Sequence, residues 1–354
     1  MNDAESRATL MDLTQYLAAR SVLGFMNSFP IEANLSTAAA IGRLVHRLNR
    51  KRRQRATEHV RWCFPRLPDA EVERIVVRSY EHMIQLFLVD SIAAPRRISA
   101  DAWPRYIELT DLGPVIDLLL HGQGLVMLTG HCGNWELLAC LLAALGYPVH
   151  ALARPIDNPL INRWLLGIRE ARGTRIITKW GAIPVVQDVV RRGGRAAFIA
   201  DQNAGDQGLF VPFFGRLAST YKSIALLAIR YRVPVVAGGA FRISHGFQYR
   251  LTVSDIIRPE EWEGHEDPIF YITARYNRAI EVMVRSHPEQ YLWIHRRWKS
   301  RPRFEREGRP FPDRLRAKLE SLPWMTPSEL SRIIESSGRR SDEPSDRTDS
   351  PPSD

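Results

Sequence analysis

The chain has 354 residues, 45% of them hydrophobic, which suits one large α/β domain or two small ones built around an ordinary core. Its net charge of +10 points to polyanionic partners, with nucleic acid, anionic lipid surfaces, phosphorylated glycolipids and acidic carrier proteins all admitted on charge alone. The three cysteines, Cys63, Cys132 and Cys140, have no metal-ligand spacing and an odd count, which argues against a disulfide scaffold and fits a reducing compartment.

In chain order, residues 1 to about 100 read as helical. The N-terminus opens on Asn2, Asp3 and Glu5, unlike a secretory leader. The stretch from Leu13 to Phe29 is broken by Arg20, Ser21, Gly24, Asn27 and Ser28, short of the roughly 20 apolar residues that a bilayer crossing needs. It still sets Leu13, Tyr16, Leu17, Val22, Phe25, Met26 and Phe29 along a broad apolar face, suited to a membrane interface or to packing on the domain. After Pro30, Ser36 or Thr37 can cap a second helix carrying Ile41, Leu44, Val45 and Leu48. The basic run from Arg50 to Arg55 reads as a solvated helix face or a phosphate-facing patch. Val72 to Ala93 supplies another amphipathic helix.

From about residue 108 to 255, strands alternate with helices. Gly124–Thr129, Val149–Ala153, Arg175–Ile177, Ala196–Ala200 and Val233–Gly238 read as strands, with helices over Pro159–Ala171, Pro184–Arg191 and Lys222–Tyr231. This alternation predicts an α/β fold with a mainly parallel central sheet flanked by helices, joined to the helical N-terminal region. Phe247 to Val253 is expected to be an edge strand, and Ile269 to Ser286 a final long helix. The expected divisions are a membrane-associating helical region (1–100), an α/β domain (101–310), a helical extension (311–335) and a tail (336–354). The tail is rich in Ser, Asp, Arg and Pro and is expected to be disordered.

The chemistry concentrates where strands end. Gly130-His131-Cys132-Gly133-Asn134-Trp135-Glu136 joins a strand to an apolar helix, a common place for reacting groups in α/β proteins. Glu136, in the first helical turn, is expected to accept the far N–H of His131, fix its tautomer and raise its basicity. Arg154 and Asn158 follow the second strand, Asn158 as a helix cap, and Arg169 lies farther along that helix. Asp201, opening Asp201-Gln202-Asn203 at another strand end, can orient a histidine, bind a hydroxyl or pair with an arginine. Phe210 to Arg216 is an aromatic loop, placed either beside a hydrocarbon substrate or in the core, and is followed by Ser219 to Lys222. In the segment from Pro288 to Lys299, Tyr291, Trp293 and Trp298 alternate with His295, Arg296 and Arg297, as at a nucleic-acid site or a membrane edge.

Taken in order, Gly-His-x4-Glu, Arg-Pro…Asn-Pro-Leu, Asp-Gln, Pro-Phe-Phe-Gly and Pro-Glu-Gln-Tyr-x-Trp…His-Arg-Arg resemble the bacterial lipid A biosynthesis late acyltransferases, within the lysophospholipid acyltransferase superfamily, over residues 10 to 305. The resemblance implies a glycerol-phosphate-acyltransferase-like fold. It also implies transfer of a fatty acyl chain from an acyl carrier protein or coenzyme A thioester to a glycolipid hydroxyl, with no metal and no cofactor beyond that thioester. His131 would act as general base with Glu136 as its orienter and Asp201 supporting the site. Asn134, nearby backbone N–H groups or an arginine would face the oxyanion. Arg154, Asn158, Arg169, Lys222, His295, Arg296 and Arg297 would bind substrate. The implied partners are the acyl donor, an anionic glycolipid such as a lipid A precursor and the cytoplasmic face of the bacterial inner membrane, met peripherally or monotopically, with no nucleic acid. Two features depart from the family pattern: the interrupted N-terminal helix, and Cys132 beside the base, a second candidate nucleophile. Other readings are acylation of a different glycolipid or amino-lipid, a thioesterase on the same fold, and a non-catalytic protein that binds anionic lipid or nucleic acid.

Overall fold

Short apolar runs between helix-length segments build the sheet here, in a computed structural model that describes residues 8–26, 28–153, 155–171, 173–178 and 181–338. The strands are β1 (Ile107–Thr110), β2 (Leu125–Thr129), β3 (Val149–Ala153), β4 (Arg175–Thr178), β5 (Arg195–Ile199), β6 (Leu209–Phe213), β7 (Arg216–Thr220), β8 (Val235–Arg242) and β9 (Tyr249–Ile257). Seven of them form one sheet in the order β1-β9-β8-β2-β5-β3-β4, parallel at every pairing except β8 with β9. Leu125, Val126 and Leu128 of the central strand β2 are buried, as expected of a parallel strand covered on both faces.

Before the sheet come α1 (Leu10–Met26), α2 (Ile31–Leu48), α3 (Arg50–Cys63), α4 (Asp69–Gln85) and α5 (Ser91–Arg97). Within and after it lie α6 (Gly113–Leu120), α7 (Trp135–Ala144), α8 (Pro159–Glu170), α9 (Ala182–Arg191), α10 (Ser223–Tyr231), α11 (Pro259–Trp262) and α12 (Pro268–Ser286). Three further helices, α13 (Arg303–Arg306), α14 (Asp313–Glu320) and α15 (Pro327–Gly338), end the described chain. The helical and α/β regions share a core, because Ala56, Val60, Val72 and Val76 cluster with Val126, Ala196 and Ile280. Residues 339–354, most of the expected tail, lie outside the described residues.

Several local expectations change. The strand expected at an edge, β9, is internal: β8 pairs with one side of it, and β1, a short strand that the sequence pattern did not reveal, covers the other. The long helix expected over residues 72–93 is interrupted by a π-helical turn at Leu86–Asp90, a feature often found near functional sites. The aromatic loop belongs to the core. It is the hairpin β6–β7, turned at Phe214 (φ 53°) and Gly215 (φ 68°), with Phe213 and Phe214 fully buried. Among the described residues no helix is long and apolar enough to cross a membrane. Helix α1 buries none of its residues and leaves Leu10, Met11, Leu17, Val22 and Phe25 exposed. On α3, Ala56, His59, Val60 and Cys63 face inward, while Arg50, Lys51 and Arg52 are exposed.

The turn from β2 into α7 is held on three sides. Leu292 N–H donates to the His131 carbonyl (3.0 Å), Gly133 N–H to the Gln290 carbonyl (2.9 Å) and Asn134 N–H to the Ala240 carbonyl (2.7 Å). From α4, the His82 ring donates from Nε2 to the Gly133 carbonyl at 3.0 Å. The Gln290 side chain bonds both the N–H and the carbonyl of Arg242. The Arg242 guanidinium is in turn buried against Asp90, a carboxylate with no exposed surface. This is a buried pair whose value lies in geometry as much as in stability.

Two outcomes are expected from this clamp. Gly133 has φ +59°, and a Cβ there would sit 2.2 Å from the Ala240 carbonyl oxygen. Gly133→Ala should lower stability by at least about 1–3 kcal/mol in chemical denaturation. Burial first, and then the Arg242 charge, hold the His82 pKa down to about 3. An unfolded histidine titrates near ~6.5, so on acidification below that value the unfolded chain takes up the proton before the folded one does. Stability is therefore lost as pH falls from the unfolded pKa toward the folded one. His82→Gln, which keeps a donor toward Gly133, should flatten this acid branch in urea midpoints measured against pH; an unchanged branch would assign the acid sensitivity elsewhere.

Candidate active site

The parallel pairing of β2 with β5 sets Thr129 beside Ile199, so His131 and Asp201 each emerge two residues past a paired position. The carboxylate meets the histidine twice: Oδ1 is 2.7 Å from Nδ1, and Oδ2 accepts the His131 backbone N–H at 3.0 Å. The Asp201 side chain is 2% exposed and that of His131 16%. Burial opposes ionisation of Asp201, but the neighbouring imidazole and its hydrogen bonds prevail and bring the pKa down to about 2. An ionised carboxylate only accepts, so Nδ1 carries the proton and Nε2 of the neutral ring keeps its lone pair. Gln202 Nε2 stands 3.3 Å from that lone pair, and the Trp135 ring lies edge-on to the imidazole at 5.2 Å. Close by, His295 Nε2 accepts the Asn203 N–H at 3.2 Å. Burial brings the His295 pKa down to about 4, so this second histidine is uncharged at neutral pH.

Glu136 does not make the expected contact with His131. It pairs with Arg169 of α8, with Nε and Oε2 2.9 Å apart, while Trp135 fills the space beside the imidazole. The first turn of α7 therefore aims its carboxylate at α8, and Asp201 occupies the orienting position. Asn134 is fully buried and caps α7 by accepting the Leu137 N–H, and the backbone N–H groups of Gly133 and Asn134 are committed to the Gln290 and Ala240 carbonyls rather than to an oxyanion. Asn158 caps α8 and donates to the Asp12 carbonyl and to Gln15 Oε1 (both 3.0 Å), fastening α1 near the end of β3. Arg154 lies outside the described residues. Lys222 is exposed at the start of α10, and Arg296 is half-buried.

Arg297 also departs from expectation. It is 1% exposed, donates to the Ser219 carbonyl, Thr220 Oγ1 and Asn277 Oδ1, and lies over the Phe213 ring. It braces the hairpin and α12 rather than facing a ligand. Cys132 is equally enclosed, bridged through its backbone to Tyr291. Burial, with the Asp201 charge adding to it, pushes the thiol up to about 12, which removes the thiolate that a nucleophile requires. Sequence reasoning missed the parts played by Trp135, His82 and Gln290. For the His131–Asp201 contact a signal existed, since both residues stand within two positions of the end of an expected strand, Gly124–Thr129 and Ala196–Ala200.

Beside Trp135, Glu136 and Arg169 an apolar cavity opens between α7 and the sheet. Leu128, Ala151 and Phe198 line it from the sheet, Ala139 and Leu142 from α7, and Ile116 and Leu119 from α6. Among the described residues no three His, Cys, Asp or Glu side chains converge as metal ligands would.

Residues 5–300 match the family described as bacterial lipid A biosynthesis acyltransferase. Lipid A biosynthesis acyltransferase 2 of Shigella flexneri is 27% identical over 300 residues, covering 82% of this chain and 92% of the relative. Lipid A biosynthesis myristoyltransferase of Escherichia coli (strain K12) is 28% identical over 267 residues, covering 74% and 80%. The lauroyltransferase of the same strain is 25% identical over 286 residues, covering 79% and 90%. The chain belongs to the bacterial lipid A biosynthesis acyltransferase family and is an acyltransferase.

Proposed function

We propose that this protein moves a fatty acyl chain from an acyl carrier protein or coenzyme A thioester to a hydroxyl of a lipid A precursor, at the cytoplasmic face of the bacterial inner membrane. The observation that carries this reading is a histidine–aspartate pair next to an apolar cavity, joined to it through Trp135, which lines the cavity and lies edge-on to His131. In the reading, the cavity holds the acyl chain and brings the thioester carbonyl to His131. Nε2 takes the proton of the acceptor hydroxyl as its oxygen attacks that carbonyl. The tetrahedral intermediate then collapses, the C–S bond breaks, and the departing thiolate takes the proton back from the imidazolium. Asp201 fixes the tautomer and stabilises the transient positive charge, as the carboxylate of a catalytic triad does. The N-terminal end of α7, with its partial positive charge, supports the oxyanion. The thioester is the co-substrate, and this sequence of steps calls on no further cofactor.

The surface fits the same reading. The exposed apolar residues of α1, fastened near the site through Asn158, support peripheral contact with a membrane. The exposed cations of α3, with Lys222 and Arg296, suit phosphorylated acceptors and acidic carriers.

With acyl thioester donors and a phosphorylated glucosamine-disaccharide acceptor, His131→Ala and Asp201→Asn should each lose about 10²–10⁴-fold in transfer while remaining folded. Full activity in either variant refutes the mechanism. Glu136→Gln leaves the imidazole contacts intact, so it should lose less than Asp201→Asn. Ala139→Phe fills part of the cavity, and mass spectrometry of the products should show a shift to shorter chains; an unaltered chain profile would place the acyl chain elsewhere.

A further inference from the structure

The strand end that supplies Asp201 also supplies Gln202, whose amide nitrogen stands 3.3 Å from His131 Nε2. With Nδ1–H donated to Asp201, Nε2 has a lone pair to offer, so the Gln202 group facing it is the NH₂ and not the carbonyl. The amide thus holds the lone pair that would accept the acceptor's proton. We infer that Gln202 caps the general base, withholding it from water until the acceptor lipid displaces the amide. The inference rests on the reading of His131 as that base.

The competing reaction is hydrolysis. Water gives its proton to Nε2 while its oxygen bonds to the thioester carbonyl; the C–S bond breaks, the thiolate takes the proton, and a free fatty acid leaves. Water and acceptor differ in how they meet the cap. A lipid acceptor makes many contacts away from the reacting hydroxyl and can apply that binding energy to moving the amide aside, as remote binding supports chemistry elsewhere. Water has no such contacts and meets the full cost of breaking the Gln202 hydrogen bond. The cap therefore slows hydrolysis more than transfer. Gln202 is half-buried, with its backbone next to the buried Asp201.

The test uses the full-length protein with a series of medium- and long-chain acyl-coenzyme A and acyl carrier protein thioesters. Free thiol and free fatty acid are measured with and without a phosphorylated, hydroxyacylated glucosamine disaccharide as acceptor. Gln202→Met keeps the side-chain length and removes the donor. It should raise acceptor-independent hydrolysis by roughly three- to tenfold, the change that one neutral hydrogen bond carries, with transfer at saturating acceptor altered less than about twofold. Gln202→Ser, too short to reach the ring, should show the same rise in the hydrolysis-to-transfer ratio. In ¹⁵N spectra, the Nε2 resonance of His131 should move toward the position of a free imidazole lone pair in both variants. A ratio at or below wild type in two folded variants overturns the cap. A loss of about 10²-fold or more in both reactions also overturns it and makes Gln202 an oxyanion donor. His131→Ala separates the two claims. If it is fully active, the reading of the base fails; if it is inactive while Gln202→Met keeps the wild-type ratio, the cap alone fails.

Discussion

The contact between His131 and Asp201 depends on strand register. Parallel pairing of β2 with β5 brings together residues 70 positions apart, and a slip of one residue would turn each side chain to the opposite face of its strand. Everything chemical at the site follows from that alignment. The carboxylate selects the tautomer, the tautomer leaves Nε2 as the basic atom, and the next residue along the strand end meets that atom. The apolar cavity opens beside the same turn because α7 starts there and lies over the sheet.

The turn that presents His131 is held by polar groups with almost no contact with solvent. His82, Gln290, Arg242 and Asp90 form a path of hydrogen bonds and one ion pair from α4 and the π-helical turn to the backbone of Gly133. Burying such groups is costly unless each finds a partner, so the cluster favours one arrangement of the turn, the one in which these hydrogen bonds form. It also explains why the helical region is integral to the site: α4 supplies His82, and the π-helical turn supplies Asp90. The Glu136–Arg169 pair is a separate tie, between α7 and α8 in the lining of the cavity.

Charged and apolar features divide between inside and outside in ways that residue type alone does not reveal. Arg296 and Arg297 are sequence neighbours, yet the first is half-buried and the second braces the hairpin with almost no exposed surface. The aromatic residues of the Phe213-Phe214 turn are in the core, whereas comparable apolar side chains on α1 stay exposed. An apolar side chain is inside or outside according to whether a neighbouring element covers it, and α1 has α8 along only part of its surface.

Strand–helix alternation, the turn that carries His131, the cap at Asn158 and the family motifs were all legible in the chain, because each depends on local periodicity or on residues close in sequence. Asp201 was legible as one of several residues able to orient a histidine. The choice between Asp201 and Glu136 was not, since it turns on which strands are neighbours and where the first turn of α7 points. Likewise, β1 has no apolar run to stand out by pattern, since Glu108 separates Ile107 from Leu109, and its pairing leaves β9 inside the sheet rather than at its edge. The amino-acid sequence by itself determined the fold class, the family and the histidine, through short-range pattern. The tertiary structure alone decided the partner of that histidine, the burial of Arg297 and Cys132 and the position of Gln202, because each depends on contacts between segments that the chain brings together only on folding.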